Sequence, residues 1–206
     1  MSNTISGNEK TKEEIEKIAT QKRSGNHKIY PILKPGNWGG LRAGAVSSTL
    51  IGDNENPQVV VGYGYDTPEN FVFLTNQDLK TMDGNQIIAD SFKNLEEFVT
   101  DFEYSEAFEN KLLTSSGRDF SSERILSVNH MLKAHKMLES EELLVTIPRR
   151  TCMMVISRDA ENKLLNAFVN FHQQAWEDDS YGNAPIANML YVVKEGNIVG
   201  TIPLNK

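Results

Sequence analysis

Apolar positions change period along this chain, and the changes divide it. Residues 29–33, 45–51, 59–65 and 71–75 are rich in Val, Ile, Tyr and Phe and are separated by clusters of Gly, Pro, Asn and Asp, which predicts four strands. In the third of these, Val59, Val61, Tyr63 and Tyr65 alternate with Val60, Gly62 and Gly64, so one face of the strand carries more bulk than the other. Ile88, Phe92, Leu95, Val99 and Phe102 then recur at intervals of four, three, four and three, the spacing of one helical face. Residues 103–118 hold only Phe108, Leu112 and Leu113 as apolar anchors and read as a join.

The second half opens with a predicted helix over 121–138 that carries Ile125, Val128, Leu132, His135 and Leu138 along one side. Strands over 143–147 and 152–156 follow, with Pro148, Arg149, Arg150 and Thr151 between them as a turn or bulge. Ser157 and Asp159 offer N-cap chemistry for a helix with Leu164, Leu165, Phe168, Phe171, His172 and Ala175 on its apolar face. Strands over 189–193 and 197–202 close the chain, joined by a hairpin turn at Glu195, Gly196 and Asn197. Ahead of all this, Thr11 and Glu14 have capping-box spacing for a short helix to about residue 22, whose apolar stripe is only Ile15, Ile18 and Ala19.

The order of elements is strands, helix, helix, strands, helix, strands. It predicts an α+β fold of two small mixed lobes, each a short, largely antiparallel sheet covered by helices. The expected organisation is a flexible N-terminus with a short helix (1–26), a β-rich lobe closed by a helix (27–103), a joining segment (104–120) and a second lobe (121–206). No repeat of solenoid or propeller period is visible.

Composition narrows the function classes. With 39% hydrophobic and 24% charged residues the chain has enough apolar content to fold. A net charge of −7, spread along the chain, disfavours nucleic acid, whose nonspecific binding rests on Lys and Arg displacing counterions. Cys152 is the only cysteine, so no internal disulfide is available. The first 25 residues lack the apolar core of a secretory signal, and no run of apolar residues is long enough to span a bilayer. The expectation is a cytoplasmic protein that engages neither nucleic acid nor membrane.

Candidate chemistry is sparse. The loop of residues 35–44 is rich in glycine and includes Gly39, Gly40 and Arg42, and such loops can aim backbone amides at an anion. It lacks the Gly-Lys-Ser/Thr ending of a P-loop and leads into a strand, so its plain reading is a connection pinned by Trp38. Gly62 and Gly64 have the Gly-x-Gly start of a dinucleotide fingerprint, but no third glycine and no helix follow, and they read as the light face of a strand. His27, His130, His135 and His172 show no pair at i, i+4, and no metal site is assigned. Cys152 lies among Met153, Met154, Val155 and Ile156 and reads as a buried apolar residue, although Arg149 and Arg150 are close in sequence. Those two arginines beside Pro148 could grip a carboxylate or phosphate, or could be solvated and paired with acids. There is no Gly-x-Ser-x-Gly or His-Glu-x-x-His element, and no catalytic residue or cofactor is assigned.

Several segments, taken in order, resemble the YtpQ-like family of uncharacterised bacterial cytosolic proteins. They are Tyr30-Pro31-Ile32-Leu33, residues 70–79, residues 88–95 with Asn94-Leu95, Arg124-Ile125-Leu126, the run Leu144-Val145-Thr146-Ile147-Pro148-Arg149-Arg150, and residues 185–196. Where the family tends to carry an acidic residue after the arginine, this chain has Thr151 and Cys152, and the loop of residues 36–44 has no counterpart. The resemblance implies a cytosolic α/β protein and supplies no activity, cofactor or catalytic residue.

Two expectations for function follow. The leading one is a non-enzymatic cytoplasmic adaptor that binds a protein or peptide, or a second copy of itself, using sheet edges and exposed aromatic residues such as Trp38 and Tyr181. The alternative is an enzyme or small-molecule binder for a phosphate or carboxylate, held by Arg149, Arg150, Arg42, Gly39 and Gly40.

Overall fold

A computed structural model describes residues 27–117, 119–178, 180 and 184–204. The helix expected to end near residue 22 and the aromatic Tyr181 lie outside the described residues. Strands β1 (Ile29–Pro35), β2 (Ser47–Gly52), β3 (Pro57–Asp66) and β4 (Phe71–Phe73) form an antiparallel sheet around β3. β1 lines one side of β3 from Ile29 opposite Tyr65 to Pro35 opposite Val59. On the other side β2 pairs with the first part of β3 and β4 with residues 64–66, so the two short strands follow end to end. Gly62 and Gly64 make this possible. A Cβ on Gly64 would stand 2.5 Å from the Val72 carbonyl oxygen, and one on Gly62 would meet the rings of Phe73 and Trp38 at 3.0 and 3.1 Å.

The free edge of β1 is closed. Asp66 N–H reaches Lys28 O and Gly36 N–H reaches Gln58 O, so the even-numbered residues of β1 hold the ladder and the odd ones turn their polar groups outward. Of those, Pro31 and Pro35 have no N–H to offer. The Ile29 carbonyl accepts from Asn94 Nδ2 at 3.0 Å, and the Leu33 N–H donates to Glu123 Oε1 at 3.0 Å.

A single helical turn, α1 (Gly39–Arg42), leads into β2, and α2 (Gly84–Glu97) packs along β1. Asp83 caps α2 by accepting from the N–H groups of Asn85 and Gln86. Its buried face is Ile87, Ser91 and Leu95, one step round from the expected stripe. Ser91, fully buried with its hydroxyl bonded to Ile88 O, is small enough to bring the helix close to the sheet. The helix stops at Glu97, so Val99 is 84% exposed, and Phe102 reaches the core from the extended segment that follows.

The second sheet runs β10-β9-β7-β8-β6-β5, all antiparallel. Its strands are β5 (Glu103–Tyr104), β6 (Leu112–Ser116), β7 (Glu142–Thr146), β8 (Cys152–Ser157), β9 (Met189–Lys194) and β10 (Asn197–Pro203). The segment expected as a join thus supplies β6, an interior strand. Leu112 and Leu113 are its whole apolar signal, and consecutive residues of a strand face opposite sides, so each buries against a different layer. On one face Leu112, Leu144, Ile156, Leu190 and Val192 meet Phe168 of helix α4 (Asn162–Glu177). Glu161, not Ser157 or Asp159, is the residue before its first turn; the Ser157 hydroxyl instead accepts from the Asp159 N–H within the preceding turn.

On the other face Leu113, Val145, Val155, Tyr191 and Val193 join Leu33, Val61 and Tyr63 of the first sheet in one buried cluster. The two halves share a core. The expected helix over 121–138 is broken at Ser127, where a 3-10 turn (Ser122–Leu126) gives way to α3 (Val128–Leu138). Ser127 caps α3 by accepting from the His130 N–H, and the break shifts the helical phase. Met131 and Ala134 are buried, while Val128 and Leu132 are 41% and 44% exposed.

That 3-10 turn is polar and buried. Glu123 bonds β1, and Arg124 donates from Nη1 to Leu95 O at 2.8 Å and from Nη2 to Thr100 Oγ1 at 2.9 Å, capping the end of α2. The Ser122 hydroxyl donates to Arg149 O at 3.4 Å. The turn therefore touches the first sheet, α2 and the second sheet at once.

Two measurements check this core. The Tyr191 hydroxyl is buried with no hydrogen-bond partner, and burial pushes its pKa up. Tyr191→Phe removes an unpaired polar group, so its urea midpoint is expected to stay or rise, by up to about 1 kcal/mol; a clear loss would show that the hydroxyl is paired. His130 stacks on Phe102 with ring centroids 4.1 Å apart, and burial first, then Arg124 and Lys133, push its pKa down to about 3 against the opposing pull of Asp101. Below about pH 6.5 the unfolded imidazole binds a proton that the folded one refuses, so its contribution is complete above that pH. It is lost toward pH 3 at up to about 1.4 kcal/mol per pH unit. Denaturation across pH 3 to 7 should show a shallower decline in His130→Phe than in the parent.

Candidate functional site

The glycine-rich loop closes on itself. A Cβ on Gly36 would fall 1.7 Å from the Pro57 carbonyl oxygen, which fixes glycine there. The N–H groups of Leu41, Ala43, Gly44 and Ala45 bond the carbonyls of Trp38, Gly39, Leu41 and Gly40, so these amides serve the turn itself. Trp38 is half-buried against Phe73, with centroids 4.5 Å apart, and its ring covers Gly40 and Gly62. It pins the loop and is not the open aromatic contact expected. Arg42 is exposed at the last position of α1.

Arg149 and Arg150 part company. Arg149 is 3% exposed, and its guanidinium donates from Nε to Ala175 O at 2.6 Å and from Nη2 to Trp176 O at 2.7 Å. A cation there meets the last carbonyls of α4 and the negative end of its dipole. Arg150 turns toward the first sheet, with Nη2 3.9 Å from Asp119 Oδ1. Its Nε is buried without a hydrogen-bond partner.

Lys34 is a residue that its sequence context does not single out. Its ammonium stands over two rings, 5.4 Å from the Phe73 centroid and 5.7 Å from that of Trp38. Burial pushes its pKa down, Arg150 adds to this, and Glu123 opposes it. Glu123 is wholly buried, with Oε1 on the Leu33 N–H and Oε2 unpartnered, and burial raises its pKa toward the neutral acid. Of the residues expected to hold a ligand, then, Arg149 is bonded to the end of α4, Arg150 faces Asp119, and Arg42 stands exposed on α1.

The remaining reactive side chains are structural. Cys152 is buried and its thiol is pushed up by that burial, against a hydrogen bond from Ser116, so it is not activated. His172, placed by its spacing on the apolar face of α4, is fully buried. Its Nδ1 pairs with the Thr146 hydroxyl and its Nε2 with Asn188 Oδ1 at 3.0 Å, while Asn188 Nδ2 donates to Leu204 O. Thr146 is also fully buried, so this chain of bonds fastens α4 to the sheet rather than presenting a nucleophile. Among the described residues no group of His, Cys, Asp and Glu could hold a metal ion, and no helix is long and apolar enough to cross a membrane.

A groove of about 590 Å³ lies elsewhere, between the end of α3, the start of α4 and the turn before β6. Phe108, Met137, Leu138 and Leu164 form its apolar floor. On its rim four carboxylates, Glu109, Glu139, Asp159 and Glu161, outnumber Lys111 and Lys163, and Lys111 is within 3.5 Å of both Glu109 and Glu161. Phe171, 44% exposed, stands edge-on to Phe108 with centroids 5.4 Å apart. Six non-glycine residues among those described have positive φ, and three of them, Glu109 (52°), Asn110 (60°) and Glu139 (49°), line this groove. Asn110 is a recognisable turn former; nothing in the sequence marks Glu139.

No family model, curated protein or solved structure matches this chain.

The division of labour between the two arginines is measurable. Arg149→Ala strips charged hydrogen bonds from the α4 terminus and should destabilise the fold by about 2–3 kcal/mol in chemical denaturation. Arg150→Ala, which removes only a long, part-exposed ion pair, should shift it by less than about 1 kcal/mol. Equal losses would contradict the capping role of Arg149.

Proposed function

We propose that this chain is a non-enzymatic binding protein of the cytoplasm that seats a peptide or protein segment in the groove between α3 and α4. The observation that supports it is the concentration of left-handed backbone at that groove. A non-glycine, non-Asn residue held at φ near 50° costs about 1 kcal/mol or more, and such residues gather where the surroundings impose them for a purpose. Glu139 carries a second cost, since it places a carboxylate at the C-terminal end of α3, where the dipole favours a cation.

The chemistry of the groove describes its partner. An apolar floor takes a large aliphatic or aromatic anchor, and a rim with more carboxylates than lysines favours Lys or Arg beside it. Strand addition, the other route by which an adaptor could bind, is left mainly to the β2–β4 side of the first sheet. The β1 edge is closed, β5 is only two residues long, and β10 is interrupted by a bulge between Ile198 and Gly200 and ends at Pro203.

Selection from a random peptide library displayed on phage tests the reading. Enriched peptides should share one bulky apolar residue flanked by Lys or Arg. Ala167→Arg, which puts a long cation into the groove, should weaken them by at least about tenfold, equivalent to about 1.4 kcal/mol, without lowering Tm. No enrichment, or peptides indifferent to Ala167→Arg, would remove the proposal.

A further inference from the structure

The groove carries charge that its surroundings do not balance. Lys111 answers Glu109 and Glu161, but among the described residues the side chains of Glu139 and Asp159 form no ion pair. Glu139 also ends α3, so the negative end of that helix dipole adds to the charge of the rim. One part of the chain has the opposite character. From Lys17 to Lys28 there is no acid, and residues 17–23 hold Lys17, Lys22 and Arg23 within a protein of net charge −7. Ile15, Ile18 and Lys22 are spaced by three and four, which puts two bulky apolar residues and a cation on one side of the helix that the sequence predicts up to about residue 22. A helix of about twelve residues with so narrow a stripe is marginal alone in water and depends on a surface to lie on.

The described chain begins within reach of the groove. Lys28 Nζ lies 2.9 Å from Glu97 Oε2 at the end of α2, and the neighbouring Glu96 accepts from Asn129 Nδ2 at 3.2 Å in the first turn of α3. The groove is at the other end of that helix, 11 residues or about 16 Å away at 1.5 Å per residue. Ile18 stands ten positions before Lys28, a stretch that spans up to about 33 Å when extended.

We propose that residues 15–23 of this chain occupy its own groove, with Ile15 and Ile18 on the apolar floor and Lys22 and Arg23 against Glu139 and Asp159, so that an outside partner must displace them. This rests on the reading of the groove as a peptide seat and names what regulates it. A short tether holds its segment at an effective concentration on the order of millimolar. An intrinsic Kd of about 100 µM then favours the filled groove over the open one by about tenfold, and an outside partner binds about tenfold more weakly than it would to an open groove.

Paramagnetic broadening of backbone amides in the full chain tests it, with a nitroxide on Thr20→Cys, opposite the apolar stripe; Cys152 is buried and does not compete for the label. Amides of residues 108–111, 138–139 and 163–164 should broaden, and Ile18→Asp should remove the effect while the protein stays folded. A synthetic peptide of residues 12–25 should bind the Ile18→Asp chain about tenfold more tightly than the parent chain, and should lose that binding when Ala167→Arg is added. Broadening confined to Val128 and Leu132, the exposed apolar pair at the other end of α3, would overturn the proposal, as would a peptide that binds both chains alike. Library peptides that bind the parent chain while no groove amide broadens would leave a peptide seat without this occupant. Broadening of the groove in a chain that enriches no library peptide would keep the occupant and remove the outside partner, so the two readings fail separately.

Discussion

Everything at the centre of this molecule hangs on one short buried polar turn. Apolar residues of the two sheets cannot by themselves set the relation between them, since hydrophobic contact has no direction. Ser122, Glu123 and Arg124 give it one: their side chains bond the Arg149 carbonyl of the β7–β8 turn, the Leu33 N–H of β1 and the Leu95 carbonyl near the end of α2 respectively. An acid and a base adjacent in sequence and both buried are spent here on backbone rather than on each other. Removing the Glu123 carboxylate leaves the buried Leu33 amide without a partner, whereas the Leu95 carbonyl keeps the Phe98 N–H when Arg124 is lost, so the turn fixes orientation more than it adds net stability.

Much of the architecture was legible in the sequence, and the failures have physical causes. Runs of bulky apolar residues bounded by turn residues located β1 to β4 and β7 to β10, with alternation clearest in β3, and Glu195-Gly196 reads as the hairpin it is, with φ of 50° and 77°. Helical phase was harder. The run from Ile88 to Phe102 has helical spacing throughout, but the chain leaves the helix at Glu97, so Val99 and Phe102 fit the pattern by accident. Ser91 could not be recognised as core because its value lies in being small. Residues 121–138 looked continuous because Ser127 acts as a stop only through its side chain, and β6 carried too few apolar residues to announce an interior strand.

The sites were less legible still. Arg149 and Arg150 are alike in sequence, and only the turn between β7 and β8 sends one to a helix end and the other toward Asp119. Lys34 owes its interest to the rings of Trp38 and Phe73 beneath it. The groove draws on residues from three separate segments, and two of its left-handed positions, Glu109 and Glu139, are the residues that end a 3-10 turn and α3 without a glycine to mark them.

The sealed margin of β1 bears on how copies of this chain could associate. Two prolines, an asparagine amide and a buried glutamate leave the first sheet with a single side, that of β2 and β4, on which another strand could be laid. Copies meeting through that side would do so symmetrically, and the pair so formed would present only sealed margins outward. Growth through this sheet is therefore self-terminating at two.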